Sequence, residues 1–538
     1  MKWDTPEKLK GLLCELVSWE SQTLTKGEQE FSKKLYAKFQ LLPYFQENRD
    51  YLQTVEVEGG RQVVSALYRH PKAKKTVVLI SHFDTVQIEE YGALMPLATL
   101  PEELTQAFKE AKGMLNEQAQ KDLDTGDYLF GRGVMDMKMG LALHMQMLER
   151  AIEEQWNMNL LLITVPDEEV NSAGMRQAAK HIAEVSNQYD LDICLFLNSE
   201  PSFSQDPYDL QEYIYTGSIG KVMPAALFYG KETHVGEPLK GLSAPFMSAF
   251  LATEMEWNDA FVETVYGEQT PLPVALKLRD LKEQYSTQTP YRAVAMYNVF
   301  LMKRSAAEIL DLFEQVTVRA MEKCQARYDE VCAKMNVNPI GRIRTIRYSK
   351  LLNYAKQKLG EQEVERLIGE VMANADLDER DQSFFIADKL MIHCQELAPA
   401  VVVLFVPPFY PAVNSSDHPL AKKAIELVLQ ASKPYEIPLQ QVHYFNGISD
   451  LSYCQQSEDT GWQAYEMNTP VWKRSYDIPF DHIATFNAPV LNVGPYGKDA
   501  HQISERLHMK SAFYEMPDLI YQLLRFVEKE TANEIDET

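Results

Sequence analysis

The stretch Thr76-Val77-Val78-Leu79-Ile80-Ser81-His82-Phe83-Asp84 runs from consecutive β-branched and apolar residues into a histidine and an aspartate. A short run without polar alternation reads as a strand buried on both faces. The same reading holds for Leu160-Leu161-Leu162-Ile163-Thr164-Val165, for Ile193-Cys194-Leu195-Phe196-Leu197 and for Pro489-Val490-Leu491-Asn492-Val493. Helical spacing joins Leu9, Leu12, Leu13, Leu16 and Val17, and a second helix is expected from about Met137 to Ile152. Strands without a polar face, alternating with helices, predict an α/β fold whose mostly parallel sheet is sandwiched by helices. The last run lies near the C-terminus, so the end of the chain is expected to complete the sheet.

The middle of the chain reads differently. Val222-Met223-Pro224-Ala225-Ala226-Leu227-Phe228-Tyr229 has an alternating, amphipathic character, and Ala306 to Ala398 is charged and helical. Only Ala400-Val401-Val402-Val403-Leu404-Phe405-Val406 looks like a later strand there. The expected organisation is a first domain part over 1–211, an inserted domain over 212–412, and the second part of the first domain over 413–538.

Charge and composition exclude several classes of partner. Among 538 residues, 53 Lys and Arg face 77 Asp and Glu, a net charge of −24 that repels nucleic-acid phosphates and anionic membranes. No segment offers the roughly 20 consecutive apolar residues of a membrane span. The start, Met1-Lys2-Trp3-Asp4-Thr5-Pro6-Glu7, lacks an apolar signal core, and the six cysteines form no CxxC pair. A soluble cytoplasmic protein is expected.

The chemistry lies where the strand runs end. Ser81-His82-Phe83-Asp84, Pro166-Asp167-Glu168-Glu169, Asn198-Ser199-Glu200 and Gly494-Pro495-Tyr496-Gly497-Lys498-Asp499-Ala500-His501 each follow an apolar run. The C-terminal ends of parallel strands share one rim, where ligands bind. Two histidines and several carboxylates would converge there, and such a donor set calls for a zinc-type cation. His82 and Asp84 are two apart, so on extended backbone they face the same way. Asp84 could then accept a hydrogen bond from the ring nitrogen that a metal leaves unused.

These blocks, with Gly131-Arg132-Gly133-Val134-Met135-Asp136-Met137-Lys138-Met139-Gly140, Glu200-Pro201-Ser202 and Glu505, resemble the co-catalytic dinuclear zinc family. That family contains aminoacylases, desuccinylases, acetylornithine deacetylase, carboxypeptidases and dipeptidases. The resemblance implies two divalent ions, Zn²⁺ first, with Co²⁺ or Mn²⁺ as alternatives. It assigns His82 and Glu200 to one ion, Glu169 and His501 to the other, and Asp136 as the bridge. Glu168 would be the general base that activates a water between the ions, Asp84 would support His82, and a non-proline cis peptide would follow Asp136. In the inserted domain, read as an α+β lid or dimerisation domain enlarged by helices, His234 would stabilise the developing oxyanion. Ser449 and Asp450, in Asn446-Gly447-Ile448-Ser449-Asp450, resemble a segment lining the substrate pocket. The family's usual lid strand pair is not recognisable here. His144, His181, His393, His418, His443, His482 and His508 stand outside the motifs and read as structural or surface residues.

The function so implied is metal-dependent hydrolysis of a peptide or N-acyl amide bond in a dipeptide or other small amino-acid-derived substrate. The long middle and Leu278-Arg279-Asp280-Leu281-Lys282-Glu283-Gln284-Tyr285 look most like a large member tied to arginine utilisation. Arginine or ornithine catabolism is the implied setting, and a homodimer the preferred assembly. The alternative is a catalytically silent relative that binds an amino-acid-like ligand, which would have no need of Glu168.

Overall fold

The computed structural model describes residues 1–203, 209, 211–456 and 461–536, the last five of these by backbone alone. The chain forms two compact units. One comprises Met1–Ser218, Val413–Gln456 and the chain from Pro479 onward; the other comprises Ile219–Ala412 together with residues 461–478.

The first unit is built on an eight-stranded mixed sheet. Its spatial order is Leu52–Val57, Arg61–Tyr68, Asn159–Val165, Lys75–His82, Asp192–Asn198, Val490–Asn492, Glu212–Tyr215 and Leu439–Val442. The four strands at its centre run parallel, with His82 opposite Val165, Ile80 opposite Asn198 and Asn492 opposite Asn198. All seven residues of Asn159–Val165 are buried, as are Thr76 to His82, in keeping with strands covered on both faces. Helix Pro6–Ser18 buries Leu9, Leu12, Leu13, Leu16 and Val17, the five residues expected at helical spacing. Its first turn carries Pro6, and the Thr5 side chain accepts the Lys8 N–H. The helix expected near 137–152 spans Lys138–Glu154, and everything from Lys138 to Glu149 is buried. It is a core helix, which accounts for the weak polar face in its sequence.

The second unit carries a five-stranded sheet in the order Val274–Asp280, Arg292–Leu301, Gly220–Tyr229, Ala400–Tyr410 and Arg344–Arg347. Helices Ala306–Lys334, Tyr348–Leu359, Glu361–Met372 and Glu379–His393 make up the helical addition. The alternating reading of Val222–Tyr229 does not hold. Gly220–Tyr229 lies between two other strands and is buried apart from Lys221, so both of its faces are covered.

The boundaries differ from those expected in two places. The first unit extends to Ser218 rather than 211, because Glu212–Tyr215 still pairs with Leu439–Val442 in its sheet. The return after 412 is interrupted, since residues 461–478 belong to the second unit. There Tyr465, on helix Trp462–Asn468, stacks on Phe405 and Phe409 at 5.1 and 4.7 Å. That aromatic contact is invisible to local pattern. All six cysteines are free, and no helix among the described residues is long and apolar enough to cross a membrane.

Candidate metal centre

His82 ends its strand, Glu168 and Glu169 follow Asn159–Val165, and Glu200 follows Asp192–Asn198, so the parallel sheet delivers all four to one rim. Asp136 comes from the segment between strand Tyr128–Phe130 and helix Lys138–Glu154, and a cis peptide joins it to Met137, as expected. His501 lies between the paired strands Gly497–Lys498 and Arg506–His508, with left-handed φ at 64°. That conformation is uncommon for a residue with a side chain.

The side chains sort into two groups that share one member. His82 Nε2 lies 3.1 Å from Asp136 Oδ1 and 3.4 Å from Glu200 Oε1. His501 Nε2 lies 3.0 Å from Asp136 Oδ2 and 3.1 Å from Glu169 Oε2. Within each group, His82–Asp136–Glu200 and Asp136–Glu169–His501, the potential ligand atoms all lie within 4.8 Å of one another. Asp136 therefore turns one oxygen to each group, as a bridging carboxylate must. Glu168 stands outside both groups, its Oε2 4.0 Å from His82 Nε2.

The electrostatics suit a cation here. Burial, reinforced by Asp450, Glu200 and Glu169, pushes Glu168 well above the usual carboxylate range. Burial and nearby carboxylates likewise raise Glu200 to about 7. Burial works against a charged His501, but its contacts with Asp136 and Glu169 prevail and raise it to about 11. Carboxylates and imidazoles crowded this closely are stabilised by protons or by metal, and oxygen with imidazole nitrogen is a zinc-type donor set. The residues fit a two-ion centre.

Asp84 does more than its spacing suggested. His82 Nδ1 faces the main-chain carbonyl of Asp84 at 3.1 Å, with the carboxylate farther off at 3.6 Å. The strand ends at His82, so strict alternation no longer governs Asp84. Its carboxylate instead accepts the Glu168 N–H at 3.0 Å, the Glu169 N–H at 3.2 Å and the Thr23 hydroxyl at 2.8 Å.

Further supports join residues of the quoted blocks to partners that carried no signal in the sequence, Arg61 and Glu90. Arg61 Nη1 pairs with Asp167 Oδ1 at 2.6 Å, both side chains buried, and Asp167 Oδ2 accepts the Ala173 N–H at 3.0 Å. Arg132 pairs with Glu505 at 2.6 Å and also contacts Glu90, while Glu505 Oε1 accepts the Gly133 N–H at 2.8 Å. Gly133 has φ +78°, and a side chain there would press on Thr85, so glycine is required at this turn.

Ser449 and Asp450 are both buried. The Ser449 hydroxyl accepts from Asn198 at 3.1 Å, and burial raises Asp450 to about 7, with Asp84 and Glu200 adding to the shift. His234 belongs to the second unit, in an exposed turn where its Nδ1 accepts the Gly236 N–H at 3.0 Å. It lies outside both ligand groups.

Comparison with known proteins gives the family and the fold. Residues 78–468 match the model of peptidase family M20/M25/M40. The chain is 42% identical over 527 residues to the uncharacterized protein YqjN of Bacillus subtilis, covering 97% of this chain and 96% of that protein. It is 28% identical to protein RocB of the same organism, covering 96% of this chain and 94% of RocB. In fold it resembles an M20 family metallo-carboxypeptidase from Sulfolobus solfataricus, with TM-score 0.53, 12% identity, and 96% of this chain and 98% of that one covered. It also resembles the di-peptidase Dug1p from Saccharomyces cerevisiae, with TM-score 0.51, 10% identity, and 97% and 96% covered. With the family model spanning most of its length and the expected residues gathered on one rim, the chain belongs to peptidase family M20/M25/M40.

Proposed function

We propose that this protein is a dinuclear metallohydrolase that cleaves a peptide or N-acyl amide bond in a small amino-acid-derived substrate. The observation that carries the reading is Asp136, whose two oxygens face two separate ligand groups while Glu168 stands beside them uncommitted. His82 and Glu200 would hold one divalent ion, Glu169 and His501 the other, and Asp136 both. When bound, such ions supply Lewis acidity for a carbonyl and make water a nucleophile near neutral pH. Zn²⁺ suits the donors best, with Co²⁺ and Mn²⁺ as substitutes.

Glu168 acts as general base, taking a proton from the attacking water and returning it to the leaving nitrogen. Asp84 positions the turn that carries it. Ser449 and Asp450 line the substrate side, and His234 donates to the carbonyl oxygen as charge develops there. The resemblance to an arginine-utilisation protein implies arginine or ornithine catabolism in the cytoplasm as the setting. A homodimer is the proposed assembly. It is supported by the edge position of Val274–Asp280 in its sheet and by the exposure of Leu276, Leu278 and Trp257 in the same unit.

Chelation should abolish hydrolysis of dipeptides or N-acylated amino acids, and Zn²⁺, Co²⁺ or Mn²⁺ should restore it. Glu168→Gln should keep both ions by elemental analysis and lose about 10²–10⁴-fold in kcat. Full turnover by a metal-loaded Glu168→Gln protein would remove Glu168 from the reaction.

A further inference from the structure

Apart from the two groups already described, Glu212, His508 and Glu515 form another group whose potential ligand atoms lie within 4.8 Å of one another. Glu212 opens strand Glu212–Tyr215, His508 closes strand Arg506–His508, and Glu515 ends the turn Ser511–Glu515. Both glutamates are buried, Glu212 at 7% and Glu515 at 2% exposure. Glu212 Oε2 and His508 Nδ1 are buried without any hydrogen-bond partner. Orphaned buried acceptors of this kind ask for an explanation, and an ion is one.

The local charge does not balance. Lys510 Nζ reaches Glu515 Oε1 at 2.7 Å from an exposed position, leaving one ammonium against two buried carboxylates. Burial, with Glu515 nearby, raises Glu212 to about 7, a shift that a neighbouring cation would offset. Burial also lowers His508, with Lys498 and Lys510 adding to the shift and Glu515 and Asp127 opposing it. Two carboxylates and an imidazole match the donors of zinc-type sites.

We propose that Glu212, His508 and Glu515 bind a third divalent cation, of zinc type, which ties the start of Glu212–Tyr215 to the end of Arg506–His508 and the turn after it. The ion is structural. It would clamp the far end of the hairpin whose loop carries His501, since Gly497–Lys498 and Arg506–His508 are the paired strands on either side of that loop.

The test is a metal count on the full-length protein, stripped by chelation, reloaded with Zn²⁺ alone and desalted. Glu212→Gln and His508→Gln, each checked for native circular dichroism, should carry one ion fewer per chain than the wild type. An unchanged count in both overturns the proposal. The double variant His82→Ala/His501→Ala gives a second measurement, independent of whether the first two fold. It should retain one Zn²⁺, and that ion should be lost when Glu212→Gln is added. Retention of none overturns the proposal. These arms also separate this site from the two-ion reading. A wild type holding a single ion that Glu212→Gln removes would contradict the dinuclear centre and support the third site. A wild type holding two ions that Glu212→Gln leaves in place would do the reverse.

Discussion

Glu168 and Glu169 are adjacent, and both donate their main-chain N–H to the Asp84 carboxylate, yet only Glu169 belongs to a ligand group. Asp84 fixes the turn that sends one side chain toward His501 and leaves the other beside His82. Replacing it by asparagine puts an amide NH₂ where an acceptor must face two N–H donors and a hydroxyl. Asp84→Asn should therefore lower kcat about 10–100-fold, the usual cost of losing such support. Metal content should fall less than in a His82 or Glu200 variant, which elemental analysis beside a turnover assay will show. Unchanged kcat would mean that backbone geometry alone orients Glu168. Asp136 was placed by the family resemblance, whereas His82, Glu169, Glu200 and His501 were legible in the sequence because each follows an apolar run that ends at the rim. The supporting pair Arg61–Asp167 was not, because residues 106 apart meet only through the antiparallel pairing of Arg61–Tyr68 with Asn159–Val165.

Helix Lys138–Glu154 shows what a buried element costs and does. Its His144 is fully buried, with Nε2 bonded to the Ser199 hydroxyl at 2.8 Å and Nδ1 unpartnered, next to the residue that precedes Glu200. Desolvation pushes this imidazole down to about 3. In the unfolded chain it titrates near 6.5, so between about pH 6.5 and pH 3 the unfolded state holds a proton that the native state refuses. Native stability then rises with pH across that window, by up to about 1.4 kcal/mol per pH unit from this group alone. His144→Gln removes that dependence. Urea unfolding of the metal-free wild type and variant should show the variant gaining on the wild type from pH 6.5 to pH 4.5, with little change between pH 7 and pH 8. Parallel pH profiles would mean that His144 is protonated in the native state. The sequence marked His144 as structural, which fits its place. It did not reveal that the helix is enclosed from Lys138 to Glu149, because a core helix leaves no polar stripe to read.

At the scale of the molecule, the order of strand ends along the chain carried the α/β architecture and the convergence of histidines and carboxylates, while the family resemblance supplied the ligand set. Two long-range events escaped it. Glu212–Tyr215 pairs into the first sheet, and residues 461–478 return to the second unit through Tyr465. His234, proposed to stabilise the oxyanion, belongs to the second unit, while the proposed ligands and Glu168 belong to the first. Its Nδ1 accepts the Gly236 N–H, so in the neutral ring the proton sits on Nε2, which makes that nitrogen a donor suited to an oxyanion. Loss of such a donor costs about 10²–10³-fold in kcat. His234→Ala should show that loss with unchanged metal content. In the proposed homodimer, the histidine would act either within its own chain or on the partner's centre. Mixing His234→Ala with Glu168→Gln chains, and isolating hybrids by two affinity tags, separates these cases. If the histidine acts across subunits, one centre in each hybrid combines an intact Glu168 with an intact His234, and up to half of wild-type activity returns. If it acts within its own chain, both centres stay defective and the hybrids are as inactive as their parents.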